Sequence, residues 1–263
     1  MRVPPSERFH AVAGDYARHR PGYPDAVVER ILQVAGLRPP RPDALVLDLG
    51  CGTGISARAF AAKGLRVIGI DPNATMLAAA RAAGGGVEYR EGDAAATGLA
   101  DGCVHLVTAA QAFHWFDADA AIREIRRVLR PGGRLAVFWN LRRRGTPFND
   151  AYEDLLRRFS AEYDELHRDE TALDRLRARA DLRERVDLDH ERVDPLDLES
   201  FLGRVRSASY VAHGVDDPAG LERELRRLFA AHAKDGRVPW TLRVEGSVWI
   251  PEREGCAGAE AGT

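Results

Sequence analysis

From Leu45 to Trp139 the chain alternates short apolar runs with longer segments whose apolar residues recur every three or four positions. The short runs are rich in Val, Ile and Leu and predict buried strands, whereas the longer segments predict amphipathic helices. The first strand, Leu45 to Leu47, passes through Asp48 and Leu49 into a glycine-rich turn. A helix from Ile55 to Lys63 follows, and Gly64 suits its C-cap. Leu65 to Ile70 predicts a second strand ending in Asp71, and Asn73 is a good N-cap for a helix reaching Ala83. A third strand is expected over Val87 to Arg90, ahead of Gly92 and Asp93, and a fourth over Val104 to Ala109. Asp117 to Leu129 is helical with Ile122, Ile125, Val128 and Leu129 inward. Pro131-Gly132-Gly133 then turns the chain into a fifth strand, Arg134 to Trp139. Strand and helix in alternation predict a doubly wound, mostly parallel α/β sheet, which binds ligands just past its strand C-termini.

The flanks read differently. Ser6 to Tyr16 predicts a helix, broken by the segment from Tyr16 to Pro24. Asp25 to Ala35 is amphipathic with Val27, Val28, Ile31 and Leu32 inward, and Pro39, Pro40 and Pro42 link it to the first strand. After Trp139, helices are expected over Asn149 to Phe159, Thr171 to Ala180, Pro195 to Arg206 and Pro218 to Ala233. Leu182 to Val193 is a candidate strand broken by alternating charge, and Val238 to Ile250 carries strand alternation at its end. The organisation expected is N-terminal helices and a core over 1–140 and a helical insertion with a possible strand over 141–237. A last core strand over 238–254 and a disordered tail over 255–263 complete it. The insertion reads as a lid shaping acceptor specificity, or as a helical dimerisation surface.

The chemistry concentrates at Leu45 to Gly54, LVLDLGCGTG. Gly50, Gly52 and Gly54 remove Cβ atoms where a ligand must approach the backbone, and the following helix start offers free N–H groups. A phosphate-binding P-loop needs Lys and Ser/Thr after its last glycine; here Ile55 and Ser56 follow. A dinucleotide fingerprint spaces its glycines G-x-G-x-x-G, and this chain has G-x-G-x-G. Asp71, at the second strand's end, can accept both ribose hydroxyls of a nucleoside, and Pro72 follows it. Asp93 can accept an adenine amine while the Ala94 N–H donates to a ring nitrogen; an Asx-turn is the structural alternative for this acid. Met76 suits packing on an adenine face or in the core.

D-x-G-x-G-x-G at a strand end resembles the first motif of the class I S-adenosylmethionine (SAM)-dependent methyltransferases. YARHRPGYP, the QAFHWFD run from Gln111 to Asp117, VLRPGG and RSASYV resemble the small-molecule branch called type 11, with enzymes such as trans-aconitate methyltransferase. The resemblance covers about half the chain, from Tyr16 to Trp139. It implies a seven-stranded Rossmann-like sheet, SAM as cofactor and S-adenosylhomocysteine as product. It also implies that Gly50, Cys51, Gly52 and Gly54 lie along the methionyl part, that Asp48 meets its ammonium, and that Tyr16 and Arg20 close over the cofactor, Arg20 facing its carboxylate. Gln111 and Ala112 would line the cofactor side. His114 is a candidate base or substrate orienter, having a pKa suited to proton removal near neutrality, or a structural residue. Trp115, Trp139 and Asn140 are candidate acceptor contacts. Arg142-Arg143-Arg144 could recognise an acidic substrate or phosphate, or form a solvated loop.

Composition narrows the partners. A net charge of −2 demands no polyanion, and the Asn-Pro-Pro-Tyr type of motif carried by amino-methylating DNA and RNA enzymes is missing after the fourth strand. The three cysteines, Cys51, Cys103 and Cys256, form no metal pattern. With no apolar signal core or membrane-length run, a cytoplasmic protein is expected, monomer or homodimer, without metal, nucleic acid or membrane partners. The expected function is methyl transfer from SAM to a small molecule, most readily to a carboxylate or hydroxyl oxygen. The alternatives are a SAM-binding protein of the same fold with a non-methylating or regulatory role, and a nucleotide-dependent oxidoreductase.

Overall fold

The computed structural model describes residues 19–38, 41, 43–160, 163, 169–208, 211 and 214–252, with 169–171 as backbone only. The expected helix from Ser6 to Tyr16, the prolines Pro39, Pro40 and Pro42 and the tail over 255–263 lie outside the described residues. Helix α1 (Asp25–Val34) leads to β1 (Leu45–Leu49), α2 (Ile55–Ala61), β2 (Arg66–Asp71), α3 (Ala74–Ala82) and β3 (Glu88–Glu91). Then come β4 (Val104–Ala110), α4 (Ala118–Val128) and β5 (Leu129–Arg142). The remainder holds α5 (Pro147–Phe159), α6 (Asp169–Arg177), β6 (Leu182–Leu196), α7 (Leu198–Arg206), α8 (Pro218–His232) and β7 (Val238–Pro251).

The strands form one seven-stranded sheet in the order β3-β2-β1-β4-β5-β7-β6. Strands β1 to β5 pair parallel; β7 runs antiparallel beside β5, and β6 antiparallel beside β7. All of β1 is buried because helices cover both faces. Successive side chains point to opposite faces. Leu45, Leu47 and Leu49 join a core with Ala121, Ile122, Ile125 and Val128 of α4. Val46 joins the opposite core with Val27, Val28, Ile31 and Leu32 of α1 and Phe60 of α2. Asp48 shares the parity of Val46 and is directed beneath the helices. The Pro131-Gly132-Gly133 turn is a bulge inside β5, where pairing passes from Val104↔Leu129 to Leu106↔Arg134.

Residues 141–237 combine helices with a long strand. The candidate strand over Leu182 to Val193 is β6, which pairs along β7, and α6 packs Leu173 and Leu176 into the core on the α4 side. Arg142 of β5 pairs with Leu242, and the β6–β7 ribbon continues beyond that point to Leu196↔Val238. It therefore rises past the C-terminal edge of the parallel strands. There α5, α7 and α8 share a separate core that includes Phe148, Tyr152, Phe201, Phe229 and Trp240.

Candidate functional site

The tips of β1, β2 and β4 and the loop after β3 surround a cavity of about 470 Å³. That volume lies within the roughly 300–1,000 Å³ of small-molecule sites. It sits where the strand order reverses between β1 and β4, the position at which open α/β sheets take ligands.

The glycine turn forms its floor. Gly50, Gly52 and Gly54 all have left-handed φ values, 63°, 53° and 76°. A Cβ on Gly50 would stand 2.5 Å from the Ala112 Cβ, and one on Gly54 would stand 2.1 Å from the Tyr89 hydroxyl oxygen. Arg58 braces the turn from behind by donating to the Thr53 carbonyl at 2.7 Å. From the front, Asp71 holds it. One carboxylate oxygen accepts the Gly52 N–H and the other the Asn73 N–H, both at 2.8 Å. Burial pushes the Asp71 pKa up, against these two amides, which favour the charged form. Each oxygen keeps a further lone pair for a hydroxyl donor.

Asp93 and Ala94 line the same cavity as Asp71, with Ile70, Pro72 and Met76 between them. The Asx-turn reading of Asp93 holds as well, since one oxygen accepts the Ala95 N–H at 2.7 Å. The remaining oxygen is available to an amine, so the two readings are compatible. Met76 is buried in the wall, its N–H capped by Asn73 at 3.0 Å. Cys51 is buried there too, and burial raises its thiol pKa well above the ordinary value.

On the β4 side, Gln111 occupies the left-handed region at φ 59°, uncommon for a residue with a side chain. It is pinned to β5 twice, through its N–H to the Phe138 carbonyl at 3.0 Å and its side-chain amide to the Asn140 carbonyl at 3.1 Å. This strain turns Gln111 and Ala112 toward the cavity. Arg20, Pro21 and Tyr23 cover it as a strap, with Tyr23 edge-on to Phe138 at 4.8 Å and the Asn140 amide donating to the Pro21 and Gly22 carbonyls. Trp115, 39% exposed, stands with Phe116 at the open side.

The structure brings together Arg20, Gly50, Cys51, Gly52, Asp71, Pro72, Met76, Asp93, Ala94, Gln111, Ala112, Trp115 and Asn140. Four expected residues do not line the cavity, and Tyr16 lies outside the described residues. Gly54 stands behind the turn, giving room to Tyr89. Asp48 is 1% exposed beneath α2 and accepts the Thr108 hydroxyl at 2.6 Å. Burial raises its pKa to about 7. Trp139 is core, and its indole N–H donates to Nδ1 of His114 at 3.3 Å. A neutral imidazole accepting at Nδ1 carries its proton on Nε2 and has no lone pair left to act as base. His114 thus has Nδ1 engaged by Trp139, and its ring lies 4.7 Å from that of Trp115. The Arg142-Arg143-Arg144 run is spent on ion pairs, Arg142 and Arg144 with Glu153 and Arg143 with Glu191. Tyr23, Ile70 and Phe116 also line the cavity; the signal for Tyr23 and Phe116 is position within YARHRPGYP and QAFHWFD, and Ile70 carries none beyond its strand.

The donor set fits an adenosyl amino acid: acids for ribose and amine, apolar walls for a purine, and Arg20 for a carboxylate. Among the described residues no group of His, Cys, Asp and Glu could hold a metal ion, and no helix is long and apolar enough to cross a membrane.

Comparison with known proteins agrees with this geometry. A family model described as a methyltransferase domain matches residues 47–137. An uncharacterised methyltransferase of Mycobacterium tuberculosis is 42% identical over 134 residues, 51% of this chain and 52% of that protein. The malonyl-[acyl-carrier protein] O-methyltransferase of Pectobacterium atrosepticum is 39% identical over 109 residues, 41% of this chain and 42% of that protein. The chain thus spans about half the length, or less, of these curated relatives. A structure assigned as a type II methyltransferase from Anaeromyxobacter dehalogenans superposes with a TM-score of 0.63 at 26% identity, covering 89% of this chain and 99% of that one. With β7 antiparallel beside β5 and a glycine turn facing two strand-tip acids, the chain carries a methyltransferase domain over residues 47–137 and is similar to the class I SAM-dependent methyltransferases.

Proposed function

We propose that this protein binds SAM in the cavity above β1, β2 and β4 and transfers its methyl group to a small-molecule oxygen acceptor, a carboxylate for preference. The observation that carries the reading is the meeting of Asp71, Asp93 and the Gly50–Gly52 turn around one cavity of nucleoside size. When bound, SAM supplies an electrophilic methyl on a sulfonium. The chain's residues would then do four things. Asp71 accepts the ribose hydroxyls, Asp93 and the Ala94 N–H read the adenine edge, and Arg20 takes the carboxylate. Gln111 and Ala112 set the wall along which the acceptor approaches, with Trp115 and Asn140 beside it. Orientation and exclusion of water supply most of the rate, because a sulfonium needs little further activation.

The preference for a carboxylate rests on what the wall offers. Among the described residues no histidine lines the cavity. His114 lies behind Trp115 with Nδ1 engaged, and its role is to position that ring. An acceptor already ionised at neutral pH needs no base, whereas a phenol or alcohol does. The relative named for O-methylation of malonyl-[acyl-carrier protein] is consistent with an oxygen acceptor. The lid reading applies to α5, α7 and α8, which share a core past the C-terminal edge of the sheet and would shape acceptor choice. Incubation with methyl-labelled SAM and a panel of carboxylic acids, phenols and amines tests this. Label should enter base-labile methyl esters; label only in amines or phenols would refute the carboxylate preference, and no binding of SAM would refute the whole reading.

A further inference from the structure

Arg20, the one cation in the cavity wall among the described residues, sits on a strap that is not held by the sheet alone. Two contacts tie it to the C-terminal end of α7. The Arg204 Nε donates to the His19 carbonyl at 3.2 Å, and Arg20 itself donates to the Ser207 carbonyl at 3.4 Å. The His19 ring packs so closely on Gly203 that a Cβ there would lie 2.5 Å from it. Arg204 is fixed in turn. Its Nη1 donates to Asp194 of β6 at 3.0 Å, and its guanidinium lies 5.6 Å from the centre of the Trp240 ring on β7. Ser207 is fully buried, with its hydroxyl donating to the Arg204 carbonyl at 2.7 Å.

We infer that Arg204 is a positioning residue for cofactor binding: by holding the His19 carbonyl from α7, it sets Arg20 over the end of the cavity where the cofactor's carboxylate lies. It touches neither cofactor nor acceptor. The helical layer over the site edge and the cofactor strap are joined through this side chain. Loss of the bond lets the strap move and withdraws Arg20, so the consequence falls on the amino-acid end of the ligand and not on its nucleoside. The inference rests on the SAM-binding reading above.

Arg204→Lys isolates the bond. A lysine ammonium can keep the pair with Asp194 and the place over Trp240, but its single nitrogen cannot also serve the His19 carbonyl from the Nε position. Calorimetry with two probes reads the effect: S-adenosylhomocysteine, which has the carboxylate, and methylthioadenosine, which lacks it. Arg204→Lys should weaken S-adenosylhomocysteine about tenfold and change methylthioadenosine less than about twofold. In an Arg20→Met background, where there is no cation left to position, the same substitution should change S-adenosylhomocysteine affinity less than about twofold. Equal weakening of both probes would show a general structural role and overturn the inference, as would unchanged affinity for both. A full effect persisting in the Arg20→Met background would overturn it too. Should Arg204→Lys fail to fold, Arg204→Met, which keeps the aliphatic stem on Trp240, carries the same expectations; failure of both to fold would make Arg204 a structural residue and overturn the positioning role. Wild-type protein that binds neither probe would refute the SAM reading itself, a result distinct from all of these.

Discussion

Asp48 is a buried carboxyl in the core, and its removal has a calculable pH signature. Its carboxyl is fully enclosed under α2, with one oxygen accepting the Thr108 hydroxyl at 2.6 Å. Burial raises its pKa from 3.8 to about 7; the Thr108 and Ser56 hydroxyls and the Ala57 amide oppose the rise, and the charge of Asp71 adds to it. The unfolded chain releases this proton near 3.8 and the native one near 7. Between those values the native state binds the extra proton, so stability falls as pH rises and levels off above about 7. Each unit is worth about 1.4 kcal/mol, so the window costs on the order of 4 kcal/mol. That is a large part of the roughly 5–15 kcal/mol that holds a domain together. In Asp48→Asn the amide oxygen still accepts from Thr108 and nothing titrates. Urea unfolding of both proteins from pH 4.5 to 8.5 should show the variant gaining on wild type by about 3–4 kcal/mol across the range. A difference constant to within about 0.5 kcal/mol over that range would refute the buried, protonated state.

Two further perturbations test how the site is held. One oxygen of Glu124 accepts the N–H and hydroxyl of Thr97, at 2.8 and 2.6 Å, tying the loop of Asp93 to α4. Chiefly through the hydrogen bond from Arg127, its pKa is lowered to about 2, so its contribution is complete above its ordinary 4.5 and is lost only as pH falls through about 2. Glu124→Gln should cost about 2–3 kcal/mol at pH 7 in chemical denaturation and much less near pH 2; equal loss at both would contradict the charged role. Gly54→Ala must place a methyl against the Tyr89 hydroxyl at a left-handed φ, and should cost at least about 2 kcal/mol and weaken SAM binding. A melting temperature within a degree of wild type would contradict that packing.

The strand-tip acids are legible from local position: Asp71 ends the apolar run closing on Ile70, and Asp93 follows Gly92 just past β3. Local pattern fixes such positions. Asp48 carried a local signal of another kind. It shares the parity of Val46, which directs it under α2 and out of the cavity, but at the end of a strand the motif's chemistry outweighed that count. His114 and Trp139 were each visible as candidates, but their bond joins residues on different elements and has no local trace. The strand β6 shows only weakly in the sequence because it is an edge strand. Its outward charges interrupt the apolar alternation, while thirteen register pairs with β7 supply what its side chains do not. Within the insertion, expected as helical with a possible strand, the amphipathic helices look alike in sequence. Which core each one buries its face in, α6 against α4 or α5 against α7, is a tertiary matter. The hold of Arg204 on the strap, 185 residues away in the chain, is likewise a product of the fold.

The reading stands on Asp71 holding a ribose. Calorimetric titration of S-adenosylhomocysteine into wild type and Asp71→Asn puts this to the test, with unfolding curves run beside it because Asp71 also bonds Gly52 and Asn73. Two hydroxyl bonds to an ionised carboxylate at about 1.5–3 kcal/mol each imply a loss of at least about a hundredfold in affinity while the variant stays folded. Equal affinity in a folded Asp71→Asn protein, or no heat of binding to wild type, would contradict it.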